Sequence, residues 1–194
     1  MNKIKLSEAL SDSDIRNFFM NKINIIKFSE LSDYKDLNEV LGKYKRCIIL
    51  FESEKLDQGH WVALTEIQQP NKKPYILFAD SYGVEPESEF NYIPKSFQYM
   101  SDQVRGTLIK LLIDQPSQVH FNQYRLQKLG KLNGYPINTC GKWAILFNLL
   151  NNITEDEFNK IIRSFEKEYK LEPDVIICLL YEALKNDPNR LNIV

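Results

Sequence analysis

The chain has no excess of either charge, no long apolar run and few cysteines. Its 194 residues include 25 Lys and Arg against 26 Asp and Glu, which gives a formal net charge of -1. Such a balanced chain carries no whole-molecule electrostatic signal for binding nucleic acid or an anionic membrane. The sequence shows neither an uncharged span long enough to cross a bilayer nor an N-terminal signal pattern. We therefore expect neither secretion nor membrane insertion.

Cysteine and histidine are both scarce. The three cysteines are an odd number without metal-like spacing, which favours a reduced, intracellular chain. Cys47 and Cys178 lie inside apolar runs, as small core residues do. Cys140 differs from them because it immediately precedes residues 141–150, a run with the composition of a buried helix. We predict no bound metal and no organic cofactor.

Length and hydrophobic pattern predict one α+β domain over residues 1–194. At 43% hydrophobic residues the chain is long enough to bury a core. Three apolar segments predict strands of a small mixed sheet: the buried run Cys47 to Phe51, the alternating, half-buried run His60 to Ile67, and Tyr75 to Phe78. We expect helices around this sheet, with the helix that begins at Cys140 buried in the middle.

Further elements are predicted outside these strands. They are a first helix capped by Ser11 or Ser13, a second helix from Asp33 to Leu41 that stops at Gly42, a helix in the second half of segment 94–113 with Val104, Leu108, Leu111 and Leu112 on one side, a strand from Val119 to Tyr124, a helix capped by Thr154 and Glu157, and a last helix that begins at Pro173. Gly106 weakens the third helix because glycine is a poor helix former.

Three short motifs supply an imidazole, a carboxylate and a thiol. In chain order they are Gly59-His60-Trp61, Ala79-Asp80-Ser81-Tyr82-Gly83 and Asn138-Thr139-Cys140-Gly141-Lys142-Trp143. A thiol-dependent acyl-transfer site needs these three groups as nucleophile, base and orienting acid. A thiol at the N-terminus of a helix also faces the positive end of the helix dipole, which favours the thiolate.

Each of these residues has an ordinary structural interpretation as well. A strand histidine such as His60 or His120 is more often hydrogen-bonded in the core or exposed to solvent than catalytic. Asp80 before Ser-Tyr-Gly is typical of a turn residue whose side chain bonds to the backbone. Cys140 fits a buried cysteine at a helix start, and Trp61 fits a core or groove aromatic residue. The joint occurrence of the three motifs favours a catalytic site.

The motifs and their order resemble one clan of cysteine proteases. A His-Trp pair on a strand, then an acidic residue, then Cys-Gly opening a central helix resembles the adenain-like and SUMO-protease-like clan. The resemblance covers roughly residues 47–150. The turn from Phe78 to Gly83 is similar to adenain's acidic turn, with Asp80 where adenain has Glu. Size and lysine-rich composition are similar to those of virophage or polinton-type (mavirus-like) capsid maturation proteases.

The resemblance implies roles for particular residues. It implies a catalytic triad of His60, Asp80 and Cys140, an oxyanion-hole side chain at Asn133 and a substrate-groove residue at Trp61. In the family the oxyanion position holds a Gln, one methylene longer than Asn133, and Gln127 is a nearby substitute. The implied activity is endopeptidase cleavage of capsid or virion precursors during maturation, after small residues such as Gly. The implied location is the host cytoplasm, in the virus factory, and the virion.

Other functions stay open. Some members of the clan are acetyltransferases that use the same three residues, others remove ubiquitin-like modifiers, and the fold can also survive as a non-catalytic binding module. Adenain is activated by DNA and by a peptide disulfide-linked to an enzyme cysteine. Counting back from the nucleophile, the matching position here is Asn122. Any activating peptide is therefore expected to act without a covalent bond, for example by adding a strand to an exposed sheet edge.

Overall fold

The protein is an α+β structure, as predicted. The computed structural model describes residues 5–150, 152–187 and 189. The α-helices of this part of the chain are α1 (Asp12–Phe18), α2 (Leu37–Leu41), α3 (Lys95–Met100), α4 (Thr107–Asp114), α5 (Cys140–Phe147), α6 (Glu155–Tyr169) and α7 (Pro173–Lys185). Its strands are β1 (Asn24–Lys27), β2 (Arg46–Lys55), β3 (Gln58–Ile67), β4 (Tyr75–Ala79), β5 (Gln118–Phe121), β6 (Lys131–Leu132) and β7 (Tyr135–Pro136). Short 3₁₀ helices occupy Phe28–Asp33, Gly42–Tyr44 and Ser88–Asn91.

The five-stranded sheet is mixed, in the order β1-β2-β3-β4-β5. Strands β2, β3 and β4 are antiparallel neighbours, whereas β1 pairs in parallel with β2 and β5 in parallel with β4. A separate hairpin joins β6 to β7. The sequence predicted the mixed sheet and four of its five strands but not β1 or the hairpin, because both are short and lack a clear alternating pattern.

Hydrophobic side chains fill both faces of the sheet. Along β3, Trp61 and Ala63 belong to one buried cluster, which also contains residues of α1, α5, α6 and α7. Val62 and Leu64 belong to the other cluster, beneath α2 and α4. The prediction of a half-buried β3 was therefore wrong. The alternation of side chains along β3 separates two covered faces, not a covered face from a solvated one.

The second helix starts later than predicted. Residues Phe28–Asp33 form a 3₁₀ helix, and α2 begins only at Leu37. Its N-cap is Asp36, whose carboxylate accepts a hydrogen bond from the backbone N–H of Glu39 at 3.0 Å. An N-cap of this kind satisfies one of the free N–H groups of the first turn and fixes where the helix begins. The predicted end is confirmed, since Gly42 is the C-cap with φ +58°.

Segment 94–113 contains two helices instead of one. The helix predicted in its second half is α4, but Lys95–Met100 is helical as well. Gly106, with φ +96°, lies at the N-cap of α4 and separates it from α3. Val104 was expected to share an apolar side with Leu108. It is 62% exposed, because it lies in the turn between the helices.

The remaining helix signals are confirmed at their starts. Ser11 caps α1, Thr154 with Glu157 forms a capping box at α6, and α7 begins at Pro173. Helix α5 begins at Cys140 as predicted and ends at Phe147, short of the predicted Leu150. Its residues 141–147 are all buried, so α5 is the central buried helix. Within the ranges described, no helix has the length and apolar character needed to span a membrane.

Candidate active site

The end of the sheet brings an imidazole and a carboxylate together. His60 lies near the start of β3, beyond the point where the pairing of β3 with β4 stops at Ala63 opposite Ala79. Asp80 directly follows β4, so the antiparallel arrangement returns it to the His60 end of β3. The Nε2 atom of His60 lies 3.1 Å from Oδ1 of Asp80, and both side chains are buried. Two residues from separate motifs thus form a hydrogen-bonded pair.

Asp80 is also fixed through its main chain. The side-chain amide of Asn122, which follows β5, accepts a hydrogen bond from the N–H of Asp80 and donates one to its C=O, both at 2.8 Å. Oδ1 of Asp80 accepts a further bond from the N–H of Tyr82 at 2.7 Å. The Tyr82 ring stacks on the His60 imidazole with centroids 4.8 Å apart. No local pattern in the sequence links Asn122 to a partner 42 residues away, so these contacts could not be predicted.

Cys140 is the first residue of α5, and its side chain is half-buried. The His60 side chain and the backbone N–H groups of Trp61 and Gly141 lie close enough to the thiol to lower its pKa. The His60 side chain thus interacts both with the carboxylate of Asp80, through a hydrogen bond, and with the thiol of Cys140, through its effect on the pKa.

The surroundings shift the pKa values of the thiol and the imidazole in opposite directions. Burial raises the pKa of Cys140, but the hydrogen bond and charge of His60, with the N–H groups of Trp61 and Gly141, lower it below the usual value of a thiol. Burial lowers the pKa of His60, but the charge and hydrogen bond of Asp80, and then those of Cys140, raise it well above its ordinary value. These directions favour transfer of the thiol proton to the ring, giving a thiolate–imidazolium pair.

The other two cysteines and the second histidine lie away from this group. Cys47 on β2 and Cys178 on α7 are buried; burial raises the pKa of both thiols, that of Cys178 to about 11. His120 on β5 stacks on Tyr75, and its Nδ1 lies 3.2 Å from Oε1 of Glu155. The interpretation of these three as structural residues agrees with their positions.

A buried carboxylate anchors the helix that carries Cys140. Asp174, in the first turn of α7, accepts hydrogen bonds through Oδ1 from the hydroxyl of Thr139 at 2.5 Å and the indole N–H of Trp143 at 3.3 Å. Its Oδ2 accepts from the backbone N–H of Lys128 at 2.9 Å. Burial raises the pKa of Asp174, although these three hydrogen bonds oppose the shift. Since Thr139 immediately precedes Cys140, Asp174 fixes the position from which the thiol projects.

An open groove of about 1060 Å³ leads to Cys140. Trp61 lines it, and its indole N–H donates to the C=O of Leu10 at 3.0 Å. Gly59 also lines the groove, and a Cβ there would lie 1.8 Å from the backbone oxygen of Phe51. Only glycine therefore fits beside His60 without separating β2 from β3. Charged residues of both signs also line the groove: Asp12, Arg16, Lys27, Glu30 and Asp57.

The N-terminal segment, residues 5–11, covers the start of α5. Its carbonyl groups accept hydrogen bonds from the backbone and side chain of Asn138 at 2.8 and 3.0 Å. The ammonium group of Lys142, a fully buried residue, donates to two further carbonyls of the segment, the shorter bond being 2.7 Å. A Cβ at Gly141 would meet Leu10 at 3.0 Å, so this glycine allows the segment to approach the helix closely. No pattern in the sequence predicted that residues 5–11 cover the helix.

The structure does not bring Asn133 to Cys140. Asn133 and Gly134 have φ values of +50° and +83° and form the exposed turn between β6 and β7, where an Asn-Gly pair is favoured. No hydrogen bond joins Asn133 to His60 or Cys140 among the described residues. The oxyanion role of Asn133 stays a prediction that this arrangement does not favour.

The substitute candidate, Gln127, is buried and already bonded. Its Oε1 accepts a hydrogen bond from the Ser81 hydroxyl at 2.8 Å, and its Nε2 donates to the hydroxyl of Tyr82 at 3.2 Å. Because Tyr82 stacks on His60, Gln127 supports the imidazole through the acidic turn. Nε2 of Gln127 has a second N–H that these bonds do not use, so its role in an oxyanion hole stays a prediction.

A second acidic residue, Glu89, lies beside the His60–Asp80 pair. Within the described part of the chain, one nitrogen of His60 and one carboxylate oxygen each of Asp80 and Glu89 lie within 4.8 Å of one another, a spacing that a metal ion can bridge. A metal on Nε2 of His60 would take the position of the hydrogen bond with Asp80, so the two arrangements exclude each other. The 3.1 Å contact between Nε2 of His60 and Oδ1 of Asp80 fits the hydrogen bond, and the expected lack of a bound metal stays a prediction.

The fold and this group of side chains define a class of protein before any comparison. It is an α+β protein with a buried, hydrogen-bonded His–Asp pair at the end of a mixed sheet and a cysteine at the start of the central helix. No protein-family model matches the chain. The chain is 32% identical over 182 residues to "Uncharacterized protein V9" of Sputnik virophage, an alignment that covers 93% of this chain and 99% of that protein. The chain belongs to the family of this virophage protein.

Proposed function

We propose that the protein is a cysteine endopeptidase of the adenain-like clan. The observation that supports the proposal is the interaction of His60 with both the carboxylate of Asp80 and the thiol of Cys140. Nucleophile, base and orienting acid come from three distant parts of the chain, and the pKa shifts of the first two favour the reactive ion pair. Three residues that served only the packing of the core would not be expected to combine these features.

In the proposed reaction the Cys140 thiolate attacks the carbonyl carbon of the scissile peptide bond and forms a new C–S bond. The imidazolium of His60 then donates its proton to the leaving nitrogen as the C–N bond breaks, which leaves a thioester on Cys140. Water then attacks the thioester carbon while His60 accepts a proton from the water. The C–S bond breaks, which releases the acid product and restores the thiolate of Cys140 beside the imidazolium of His60. Asp80 holds the ring in one tautomer and stabilises its positive charge.

The negative charge that develops on the substrate oxygen needs hydrogen-bond donors. The backbone N–H of Cys140, at the free N-terminal end of α5, is the proposed donor. One good donor in such a site contributes roughly 3–4 kcal/mol to stabilising the transition state. A side-chain donor from Asn133 would require the β6–β7 hairpin to move on substrate binding.

The proposed substrates are capsid or other virion precursors, cut after small residues such as Gly, in the host cytoplasm and the assembling virion. Membership of a virophage protein family supports a viral substrate. Trp61 and Leu10 line the groove and lie close to Gly141, the residue after Cys140, which supports small residues next to the cleaved bond. Groove-lining charges of both signs favour an extended polar peptide over an apolar ligand.

The experiment is a cleavage assay with the purified full chain and the capsid precursors encoded by the same viral genome. New termini are mapped by mass spectrometry, with EDTA present to remove metal-dependent contaminants. Cleavage by the wild type, loss of cleavage in Cys140→Ala and in His60→Ala, and retention in His120→Ala are the expected results. His120→Ala is the matched control because this histidine pairs with Glu155 away from the groove.

Three other results would change or replace the proposal. Transfer of label from an acetyl coenzyme to a protein, without peptide cleavage, would identify an acetyltransferase. Cleavage of a ubiquitin-like fusion, with capsid precursors left intact, would keep the chemistry and change the substrate. Failure of a peptide vinyl sulfone to label Cys140 would indicate a non-catalytic binding module.

A further inference from the structure

Glu89 is a buried carboxyl group that the proposed chemistry does not use. It lies in the 3₁₀ helix Ser88–Asn91 and is 9% exposed. One of its oxygens lies within 4.8 Å of both a His60 ring nitrogen and an Asp80 oxygen. Its Oε2 atom is buried and has no hydrogen-bond partner among the described residues. A buried carboxyl oxygen without a partner is uncommon in folded proteins and needs a physical reason.

Glu87, two residues earlier, shows what a structural carboxylate does here. It is buried too, but its oxygens accept hydrogen bonds from three backbone N–H groups at the start of α4. No such bond accounts for Glu89. The cationic group that faces it is His60, which carries a positive charge when the Cys140 thiol has lost its proton. A buried carboxylate beside an imidazolium is stabilised, whereas beside a neutral ring it only loses its hydration.

We infer that Glu89 is a positioning residue: a second carboxyl group beside the His60 ring, which supports the imidazolium and can do so without the charge of Asp80. The inference rests on the proposed function, since the imidazolium forms by proton transfer from Cys140. The titratable groups that face His60 are Asp80 after β4, Glu89 in the 3₁₀ helix, Cys140 on α5 and the stacked ring of Tyr82.

The charges around Glu89 and its burial determine how readily its carboxyl group ionises. Burial raises the pKa of Glu89, the charge of His60 lowers it, and the charge of Asp80 raises it again. With Asp80 ionised, the two carboxylates compete, and Glu89 holds its proton to higher pH than an ordinary Glu. Replacing Asp80 by Asn removes the competing charge. Glu89 then ionises more readily and is the remaining carboxylate beside the ring.

The experiment compares Asp80→Asn with Asp80→Asn/Glu89→Gln in the full chain, with Asp80→Asn/Glu85→Gln as the matched control. Glu85 lies exposed in the same loop as Glu89. The measurement is the rate at which iodoacetamide alkylates Cys140, identified by peptide mass, from pH 5 to pH 10. This rate follows the thiolate fraction and needs no substrate. The kcat/KM for a cleaved peptide is measured alongside, with thermal unfolding as the check on the fold.

In Asp80→Asn and in its Glu85→Gln control, the midpoint of the alkylation profile should lie at a lower pH than the pKa of an ordinary thiol. In Asp80→Asn/Glu89→Gln the midpoint should move up towards about 8.5, the value of an ordinary thiol. A midpoint shift of one pH unit corresponds to about tenfold slower alkylation at pH 6.5, and kcat/KM should fall by a similar factor. Asp80→Asn/Glu89→Asp, which keeps the charge but withdraws it by one methylene, should fall between the two.

Coincident alkylation profiles for Asp80→Asn and Asp80→Asn/Glu89→Gln would overturn the inference. A merely structural Glu89 would lower the unfolding temperature and leave the midpoint where it was, which also counts against it. The experiment distinguishes failure of the proposed peptidase activity from failure of the proposed role of Glu89. A shifted midpoint in a protein that cleaves nothing would keep Glu89 as a positioning residue and reject the peptidase. Cleavage with an unshifted midpoint would keep the peptidase and reject the role of Glu89.

Discussion

The thiol of Cys140 is set apart from the other two thiols by its neighbours. We predict that Cys140→Ala abolishes cleavage and leaves the unfolding temperature nearly unchanged, because the side chain is half-buried and contributes little to the core. Cys47→Ala and Cys178→Ala should keep activity at the cost of some stability, since both thiols are buried in apolar clusters. Peptide cleavage and thermal unfolding of the three variants check this. Full activity in Cys140→Ala would reject the mechanism.

The directions in which the pKa values of Cys140 and His60 are shifted predict the pH range in which the protein is active. Above its lowered pKa the thiol is a thiolate, and below its raised pKa the ring is an imidazolium, so the reactive pair exists between the two values. The acid limb of kcat/KM should therefore lie below about 8.5 and the alkaline limb above about 6.5, the ordinary values of the two groups. Activity should be high at pH 7. A profile that rises only above pH 8.5 would mean that His60 does not activate the thiol.

Helix α5 depends on a contact from another helix for its exact position. Asp174→Ala should lower the free energy of unfolding by about 3 kcal/mol, because it leaves a hydroxyl, an indole N–H and a backbone N–H buried without their acceptor. Asp174→Asn, which keeps one carbonyl oxygen for Thr139 and Trp143, should lose less. Urea unfolding measures both. Equal stability of Asp174→Ala and the wild type would show that water replaces the carboxylate.

The same change should also affect activity. Thr139 directly precedes Cys140, so loss of its bond to Asp174 loosens the start of α5. We expect kcat to fall more than KM rises in Asp174→Ala, measured at a temperature where the variant is folded. A change in KM alone would place the effect in the groove and not at the thiol.

The net charge of the molecule and the edges of its sheet determine which activators it is expected to bind. The formal net charge is -1, and phosphate binding needs clustered Lys and Arg. Position 122 is a buried asparagine bonded to Asp80, so a disulfide-linked peptide activator has no attachment point there. We predict peptide cleavage without DNA and no effect of DNA across a salt series. Stimulation by DNA that fades with added salt would reveal a local basic surface and contradict this prediction.

An activating peptide, if the protein uses one, should act without a covalent bond. The outer strands of the sheet are β1 and β5, and these are the edges to which an added strand would pair. Activity should then be insensitive to reductant beyond what keeps Cys140 reduced. Cleavage assays with and without dithiothreitol, in the presence of virion-derived peptides, test this expectation.

Short-range signals in the sequence predicted most helices and strands and pointed to His60, Asp80 and Cys140. Caps at Ser11 and Thr154 and the proline at Pro173 marked helix starts correctly, because helix starts are decided by side chains within a few residues of the helix end. The apolar runs of β2, β3 and β4 identified strands for a similar local reason. Cys140 at the start of a buried helix could be read from the residues on either side of it.

Long-range packing decided the rest. Whether β3 faces solvent, whether Asn122 reaches Asp80 and whether the N-terminal segment covers α5 depend on contacts between residues far apart in the chain. Glu89 went unnoticed because nothing around it in sequence differs from Glu87, yet one caps a helix and the other lies beside His60. Local preference fixes the conformation of a few residues at a time, whereas the neighbours of a buried carboxylate are chosen by the free energy of the whole packed core.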